Sequence, residues 1–513
     1  MVESLQCELP LPSLNDNAGD LDRLLRALKQ RGFSPITAHP SVINHWVRRL
    51  RQDRFKVTAV LGYCLCHWEL IEVTAGLKSP PLLGFAIDLG SSGLVFYLLD
   101  LKARKVIAED SVPNPQIPYG EDILTRILFA RKASNLRFLQ RLLQDSINQT
   151  MRLMLEKAGF SQLDVYAVAI AGNTTMSHFL MGFDPANICR EPYIPAVNRF
   201  PLCHAVDLKL AAHPRALLYL FPNVGSYFGG DLIADILAVG LYRTDELSIL
   251  VDVGTNAEIV LGNRDWLVAC AGAAGPALEG GVVERGMMAI PGAIDRVRID
   301  RETLDPSYHV LGEEKAAGIC GSGLIDLIAE MFMSGILTVQ GKIDRRIRSP
   351  RLVGTPDGPA YVVAHGAETS DGRDLAISEI DIGIFLKSKA AMYTILTVIT
   401  GKVGVSFEDL KRFYVTGMFG NYIDPSMAIK IGMLPDLPLE TFRGLGDTVG
   451  CGVAMTLLDR GLIGEIERVC NRITYLELNV NMELMNEFRA ALFIPHTDLR
   501  LFPSVEIPDR AFG

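Results

Sequence analysis

The stretch ILVDVGTNAEIVLG, from Ile249 to Gly262, runs apolar, breaks at an aspartate and a glycine, and turns apolar again. An earlier stretch, LLGFAIDLGSSGLVFYLLD from Leu82 to Asp100, repeats that shape with Asp88, Gly90, Ser91 and Ser92 at its bend. Two apolar runs around a tight turn predict a hairpin, and two hairpins of one design predict a duplicated domain. Glycine lets the backbone bend and come close to a ligand, and successive N–H groups in such a bend form a concavity that favours anions. An aspartate beside a bound phosphate needs a cation between them. Mg²⁺, held by one or two carboxylates with phosphate oxygens and waters, meets that need. One copy alone reads first as an aspartate capping a tight hairpin. The second copy tips the reading towards a ligand.

The bulk numbers bound what else the chain can be. At 513 residues it is too long for one simple core, so two or three domains are expected. With 49% hydrophobic and 21% charged residues it reads as ordinary globular protein. A net charge of −9 argues against nucleic acid or an anionic membrane as the main partner. The basic run RRLRQDR, Arg48 to Arg54, reads as a solvated helix face. No stretch reaches the roughly 18 uninterrupted apolar residues of a membrane span, and the nearest, AAMYTILTVITGKVG, suits a buried helix. The N-terminus lacks a signal architecture, so a cytoplasmic location with reduced thiols is expected. The nine cysteines include no C-x-x-C pair and no spaced set of four, so no iron–sulfur cluster is expected. GYCLCHWEL alternates as one strand would, with buried structural thiols.

Residues 1–80 read as a small α+β domain. Leu21, Leu24, Leu25 and Leu28 mark one helix with Gly32 as its stop, and Ile43, Trp46, Val47 and Leu50 mark a second. A strand pair follows, then the linker GLKSPP. From 81 to 513 strand and helix signals alternate, which predicts an α/β architecture. The first lobe is placed at about 81–245 and the second at about 246–470. A loop-rich peripheral insertion is placed at about 341–378, and a C-terminal extension follows the second lobe. AGNTTMSH reads as a helix start in which Asn173, Thr174 and Thr175 cap, and His178 is a satisfied surface residue.

Three further glycine turns follow the second hairpin: AGPALEGG from Ala274, GICGSGLIDLIAEMF from Gly318, and VTGMFGNYI from Val415. The second opens a helix, whose free N–H groups add anion affinity. The order of the five turns resembles the superfamily of actin, the sugar kinases and the heat-shock chaperone ATPases. Longer strings are similar to the ATP-dependent reductive activators of corrinoid proteins: NPQIPYGEDILTRI, AGNTTMSHFLMG, GGDLIADILA, LVDVGTNAEIVLG, GICGSGLIDLIAE, GNYIDPSMAIKIGMLPDLP and the closing YLELNVN…FRAALFIP. They span nearly the whole chain.

The resemblance implies a duplicated actin-like, ribonuclease H-like ATPase fold in two lobes. It implies ATP and Mg²⁺ as cofactors, with ATP driving Co(II) of a corrinoid methyltransferase protein back to Co(I). It makes Asp88 and Asp252 the magnesium acceptors, and sets Gly90, Ser91, Ser92, Gly254, Thr255 and Asn256 around the phosphates. Gly321, Ser322 and Gly323, with Gly417 and Gly420, would flank the nucleoside. Glu258, on the face of Gly254 and Asn256, is the candidate base, and a surface-facing hairpin glutamate is the alternative. Relatives commonly carry an N-terminal ferredoxin-like segment, and here a separate ferredoxin-like donor is expected instead. Met418 stands where relatives favour Ala-Gly-Gly, which adds bulk near the base. A nucleotide-gated binding module for a corrinoid protein, without redox activity, and a metabolite kinase on the same fold stay open, as does pairing into a homodimer.

Overall fold

The computed structural model describes residues 1–254, 257–272, 283–356, 358–420, 422–476 and 482–512. By compactness the chain divides into two units, Met1–Ala238 with Val449–Asn471, and Val239–Thr448 with Arg472–Gly513.

The first unit opens with β1 (Val2–Glu8), α1 (Asp20–Gln30), β2 (Ile36–Ala38), α2 (Pro40–Gln52), β3 (Lys56–Cys64) and β4 (His67–Ala75). The strands form a sheet in the order β1-β3-β4-β2, on which Leu24, Leu28, Trp46 and Leu50 are buried. Both helices thus stand where the 3.6-residue spacing placed them, and the arginines of α2 face outward as expected. Cys64 ends β3 and Leu65 turns with φ +62° before β4, so the expected strand pair has its turn inside GYCLCHWEL. Cys66 is exposed, against the expected burial of this pair. Glu69 of β4 joins this sheet to the rest of the unit, accepting from Arg215 and lying 3.0 Å from His204 Nε2.

The next elements are β5 (Leu83–Leu89), β6 (Gly93–Asp100), β7 (Lys105–Pro113), α3 (Ile123–Phe129), α4 (Ala133–Ala158), β8 (Val165–Gly172), α5 (Thr174–Met181), β9 (Cys203–His204), β10 (Leu217–Leu220) and α6 (Gly230–Val239). They build a sheet ordered β7-β6-β5-β8-β10-β9. The β5, β6 and β7 strands are antiparallel neighbours, while β8 and β10 continue parallel to β5. Leu139, Leu143, Ile147 and Met151 on α4 recur at helical spacing and bury against β5 and β6 residues.

The second unit repeats the plan. Its elements include β11 (Ser248–Val253), β12 (Ala257–Gly262), β13 (Leu267–Gly272), β14 (Ala293–Ile299), β15 (Pro306–Val310), β16 (Gly318–Ile319) and α7 (Gly321–Met333). There follow β17 (Leu352–Thr355), β18 (Gly358–Ala364), β19 (Leu375–Ser378), α8 (Glu379–Val403), β20 (Arg412–Thr416), α9 (Gly417–Gly420), α10 (Pro425–Lys430) and β21 (Phe442–Gly444). After α11 (Thr448–Leu458) and α12 (Gly461–Arg472), which fall almost wholly in the first unit, come β22 (Ile473–Tyr475) and α13 (Met482–Ala491). The main sheet runs β21-β20-β11-β12-β13-β22. Its β13-β12-β11-β20-β21 core is the β7-β6-β5-β8-β10 core of the first unit, with the same antiparallel triple and parallel pair. The fold is mixed α/β and duplicated.

Helix α8 has the length and apolar composition of a membrane span, yet 72% of its most apolar window is buried. It packs its buried side chains, Phe385, Tyr393 and Leu396 among them, into the core of the unit, and its Lys389 ammonium donates to the carbonyls of Ala491, Phe493 and Pro495. The stretch expected to be loop-rich, 341–378, contains the three-stranded sheet β17-β18-β19. Its runs of four to seven residues are too short for alternation to announce them.

Candidate functional site

In the first unit the acid is the penultimate residue of β5. Asp88 stands in register with Val95 on β6 and Ala171 on β8, half-buried, with Gly90 and Ser91 half-buried and Ser92 exposed in the turn that follows. A Cβ on Gly90 would lie 2.6 Å from the Gly93 carbonyl oxygen, so the turn closes this tightly only around a glycine. Asn114, 2% exposed, braces it. Its Nδ2 donates to the Gly90 carbonyl at 2.8 Å, its backbone N–H donates to Ser92 O at 3.0 Å, and its Oδ1 accepts from Gln116 N at 2.8 Å.

The neighbouring strand ends at the same edge, with Gly172 paired to Leu89. Asn173 caps α5, its side chain accepting from Met176 N at 2.9 Å, as its position predicted. The Thr174 hydroxyl lies 2.9 Å from Gly225 O and 3.3 Å from Phe228 O, which ties the loop after β10 to the start of α5. That loop passes so near that a Cβ on Gly229 would stand 2.3 Å from Asn173 Cα. It delivers Asp231 to the first turn of α6, with Oδ1 accepting from Leu232 N at 2.8 Å. Asp231 keeps part of its surface, but the atoms crowded around the carboxyl push its pKa from 3.8 up to about 6 by desolvation, against its backbone hydrogen bonds. Asp88, the Gly90–Ser92 turn and Asp231 thus share the carboxyl ends of β5, β8 and β10, where open α/β sheets bind ligands.

His178 is a correction. It is wholly buried rather than on the surface, with Nδ1 2.6 Å from Thr174 O and Nε2 accepting from Val197 N at 3.3 Å. Burial lowers its pKa.

In the second unit Asp252 is again the penultimate residue of its strand. Its register partners are Glu258 on β12 and Thr416 on β20, and the Thr416 hydroxyl donates to Asp252 Oδ1 at 3.3 Å. Directly opposed residues of an antiparallel pair share a face, with Cβ atoms about 4.5–5.5 Å apart. The two carboxylates therefore stand side by side, each half-buried, while Val251, Val253, Ala257 and Ile259 fill the core from the other face. Alternation had put Glu258 on the face of Gly254. The register adds that it is the direct neighbour of Asp252.

Gly417 closes the same spot. Its φ is +80°, and a Cβ there would stand 2.9 Å from both Asp252 Oδ1 and Val253 O. Gly420 is buried, three residues on. Gly321, Ser322 and Gly323 open α7 as expected, and all three are buried. The Ser322 hydroxyl is 3.3 Å from Cys320 Sγ. A Cβ on Gly323 would come within 2.3 Å of Ile294 O, so this glycine seats α7 on β14. Thr255, Asn256, the AGPALEGG turn and the Met418 side chain lie outside the described residues.

The donor set suits magnesium and a phosphate. Two adjacent carboxylates and a hydroxyl are hard oxygen ligands, and the glycine turns supply backbone N–H groups.

Three family models cover the chain almost end to end. The RACo linker region matches residues 1–80, the RACo middle region matches 83–244, and the C-terminal domain of RACo, described as the ASKHA domain, matches 246–506. The chain belongs to the RACo family. Among its relatives is the corrinoid activation enzyme RamQ of Eubacterium limosum, 28% identical over 423 residues, covering 80% of this chain and 70% of that protein. Another is the [Co(II) methylated amine-specific corrinoid protein] reductase of Methanosarcina barkeri, 24% identical, covering 76% of this chain and 73% of its own. A solved structure of a reductive activator for corrinoid,iron-sulfur protein superposes with a TM-score of 0.90 at 36% identity, over 98% of this chain and 80% of that one.

Asn114 falls in the RACo middle region, and so does Asp231. Sequence reasoning assigned a role to neither. The strings NPQIPYGED and GGDLIADILA hold the signals that could have found them: an Asn-Pro directly after a strand, and an acid at the first turn of a helix behind two glycines.

Proposed function

We propose that this RACo-family protein uses Mg·ATP to drive reductive activation of a corrinoid protein, adding one electron to Co(II) to give Co(I). The observation that carries the reading is the acid-tipped glycine turn at one and the same strand position in two sheets of one topology. The relatives' activities support its direction.

The magnesium ion, when bound, supplies a Lewis acid that neutralises phosphate charge. Asp252, oriented by Thr416 and flanked by Glu258, would hold it in the second unit, and Asp88 is the corresponding acid of the first. The Gly90–Ser92 turn, braced by Asn114, offers N–H and hydroxyl groups to phosphate oxygens. We assign the water-activating role to Asp231 rather than Glu258. A carboxyl with a pKa raised to about 6 ionises just below neutral pH, where it can accept a proton from the attacking water. Glu258, beside Asp252, acts on the metal.

ATP and water go to ADP and phosphate while one electron passes to cobalt. Moving one charge against each 100 mV takes about 2.3 kcal/mol, so a reduction uphill by a few hundred millivolts needs several kcal/mol of difference between nucleotide states. We take the electron from a separate ferredoxin-like donor, because the nine cysteines have no cluster spacing.

The test mixes the purified chain with Mg·ATP, a chemical reductant and a Co(II) corrinoid methyltransferase subunit, and follows the Co(I) absorbance. Growth of the Co(I) band that requires ATP supports the reading. Nucleotide-dependent partner binding with no cobalt reduction would replace it with a gated binding module.

A further inference from the structure

The sheet β17-β18-β19 has an edge that the nucleotide reading does not use. β17 is its outer strand, and Val353 and Gly354 are exposed along it. Gly354 stands opposite Pro359 on β18. Proline has no N–H to donate, so this is a non-hydrogen-bonded pair, and the N–H and C=O of Gly354 turn outward. The pair three positions along fixes the phase: Val362 N donates to Arg351 O at 2.8 Å, so bonded and outward-facing positions alternate from there to Gly354. The Leu352 carbonyl also turns outward.

Natural sheets blunt such edges with lysine, bulges or covering segments. Here the edge lines an open groove of about 560 Å³, whose opposite wall is the stretch from Ile343 to Pro350. Arg345 and Arg348 on that wall are exposed and make no ion pair among the described residues. The neighbouring arginines are occupied, Arg346 by Asp344 and Arg351 by Asp305. In a chain of net charge −9 this is a local reversal of sign, set beside an apolar floor of Ile347 and Leu352, with Val353 on the other face of β17.

We propose that the groove is a docking site for an extended acidic segment of a protein partner, which adds to β17 as a fourth strand while its carboxylates meet Arg345 and Arg348. Strand addition supplies main-chain hydrogen bonds through Gly354 and Leu352, and the alternation of a strand lets apolar side chains face the floor while acids face the arginines. The assignment is independent of the nucleotide chemistry.

Fluorescence anisotropy of a labelled peptide of alternating valine and glutamate, titrated with the full chain, tests it. Saturable binding is expected, weakened about tenfold or more by the double change Arg345→Glu and Arg348→Glu, and weakened again as salt rises. The valine–lysine counterpart should not compete. Hydrogen exchange at the Gly354 amide should slow when the valine–glutamate peptide is present, and Val353→Lys should weaken binding without touching either arginine. Circular dichroism confirms that the variants fold. Equal binding of the lysine peptide, indifference to the arginine reversal, or an unprotected Gly354 amide overturns the proposal. Capture of single-stranded nucleic acid in preference to the acidic peptide does so too.

Discussion

Asp88 and Asp252 occupy one topological position in two sheets of the same strand order, yet their neighbours differ in kind. Asp88 is flanked in register by Val95 and Ala171, and Asp252 by Glu258 and Thr416. The first half has no second acid in register with its own and carries Asp231 on a separate helix. The second half sets two carboxylates and a hydroxyl in one row across three strands. Duplication preserved the scaffold, and on the proposed reading it divided the chemistry: a metal grip in one half, and a proton acceptor with a braced phosphate turn in the other.

The sharpest way to break that division is Asp231→Asn. A lost general base lowers turnover by roughly 10² to 10⁴, and nucleotide binding should survive. In the parent protein, phosphate release should rise as pH passes upward through about 6, because the carboxyl acts only when ionised. The variant should lose that limb. Stability runs the other way. A carboxyl whose pKa rises from 3.8 to about 6 on folding holds its proton more tightly in the folded state, so its contribution is present at low pH and fades as pH rises through 6. If Glu258→Gln removed the pH limb instead, the roles of the two halves would be exchanged.

Asp252→Asn and Asp88→Asn come next. Each should raise the Mg²⁺ concentration needed for ATP binding, on the order of tenfold or about 1.4 kcal/mol, with the larger effect at Asp252. Isothermal titration of nucleotide at several Mg²⁺ concentrations separates them. Equal effects would mean that the polar row adds nothing to the grip. Gly417→Ala should follow at several-fold, since a side chain at φ +80° is strained by about 1 kcal/mol and would press on the Asp252 carboxylate.

Asn114→Ala probes the first half in the same way. Losing the bond from Asn114 Nδ2 to the Gly90 carbonyl removes about 1 kcal/mol of net support. Nucleotide affinity should fall a few-fold while the Mg²⁺ requirement stays where it was. A shift in that requirement would tie the turn to the metal rather than to phosphate.

How much of this could be read beforehand follows from the range of the forces involved. The hairpins, the long α4 and the buried α8 announce themselves because their apolar periodicity is local. Asp88 and Asp252 were legible for the same reason, being acids at the ends of apolar runs. The pairing of Asp252 with Glu258 was half legible: alternation gave the face, and only the strand register gave the partner. Asn114, Thr174 and Asp231 act through contacts that chain folding creates, 24 residues apart for Asn114 and Gly90 and 51 for Thr174 and Gly225. His178 misled because a polar residue early in a short helix usually faces water, whereas here its ring is covered by the loop at Val197 and by Phe183 and Phe200. β1, with no clean alternation, escaped notice until its pairing to β3 supplied the hydrogen bonds.

The smallest expected effect isolates what the second half gains and loses by its pair of acids. Like charges directly opposed on a sheet destabilise it by about 0.2–1 kcal/mol. In the absence of Mg²⁺, Glu258→Gln should therefore raise the melting temperature, by roughly 1–3 °C for a unit of this size. Adding Mg²⁺ should stabilise the parent protein more than the variant, so the two curves draw together as the cation binds between the carboxylates of the parent. A smaller gain is expected from Asp88→Asn, whose register neighbours Val95 and Ala171 carry no charge. Equal gains at both positions would show that the carboxylate pair is not what separates the two halves, and Glu258 would revert to an ordinary hairpin glutamate.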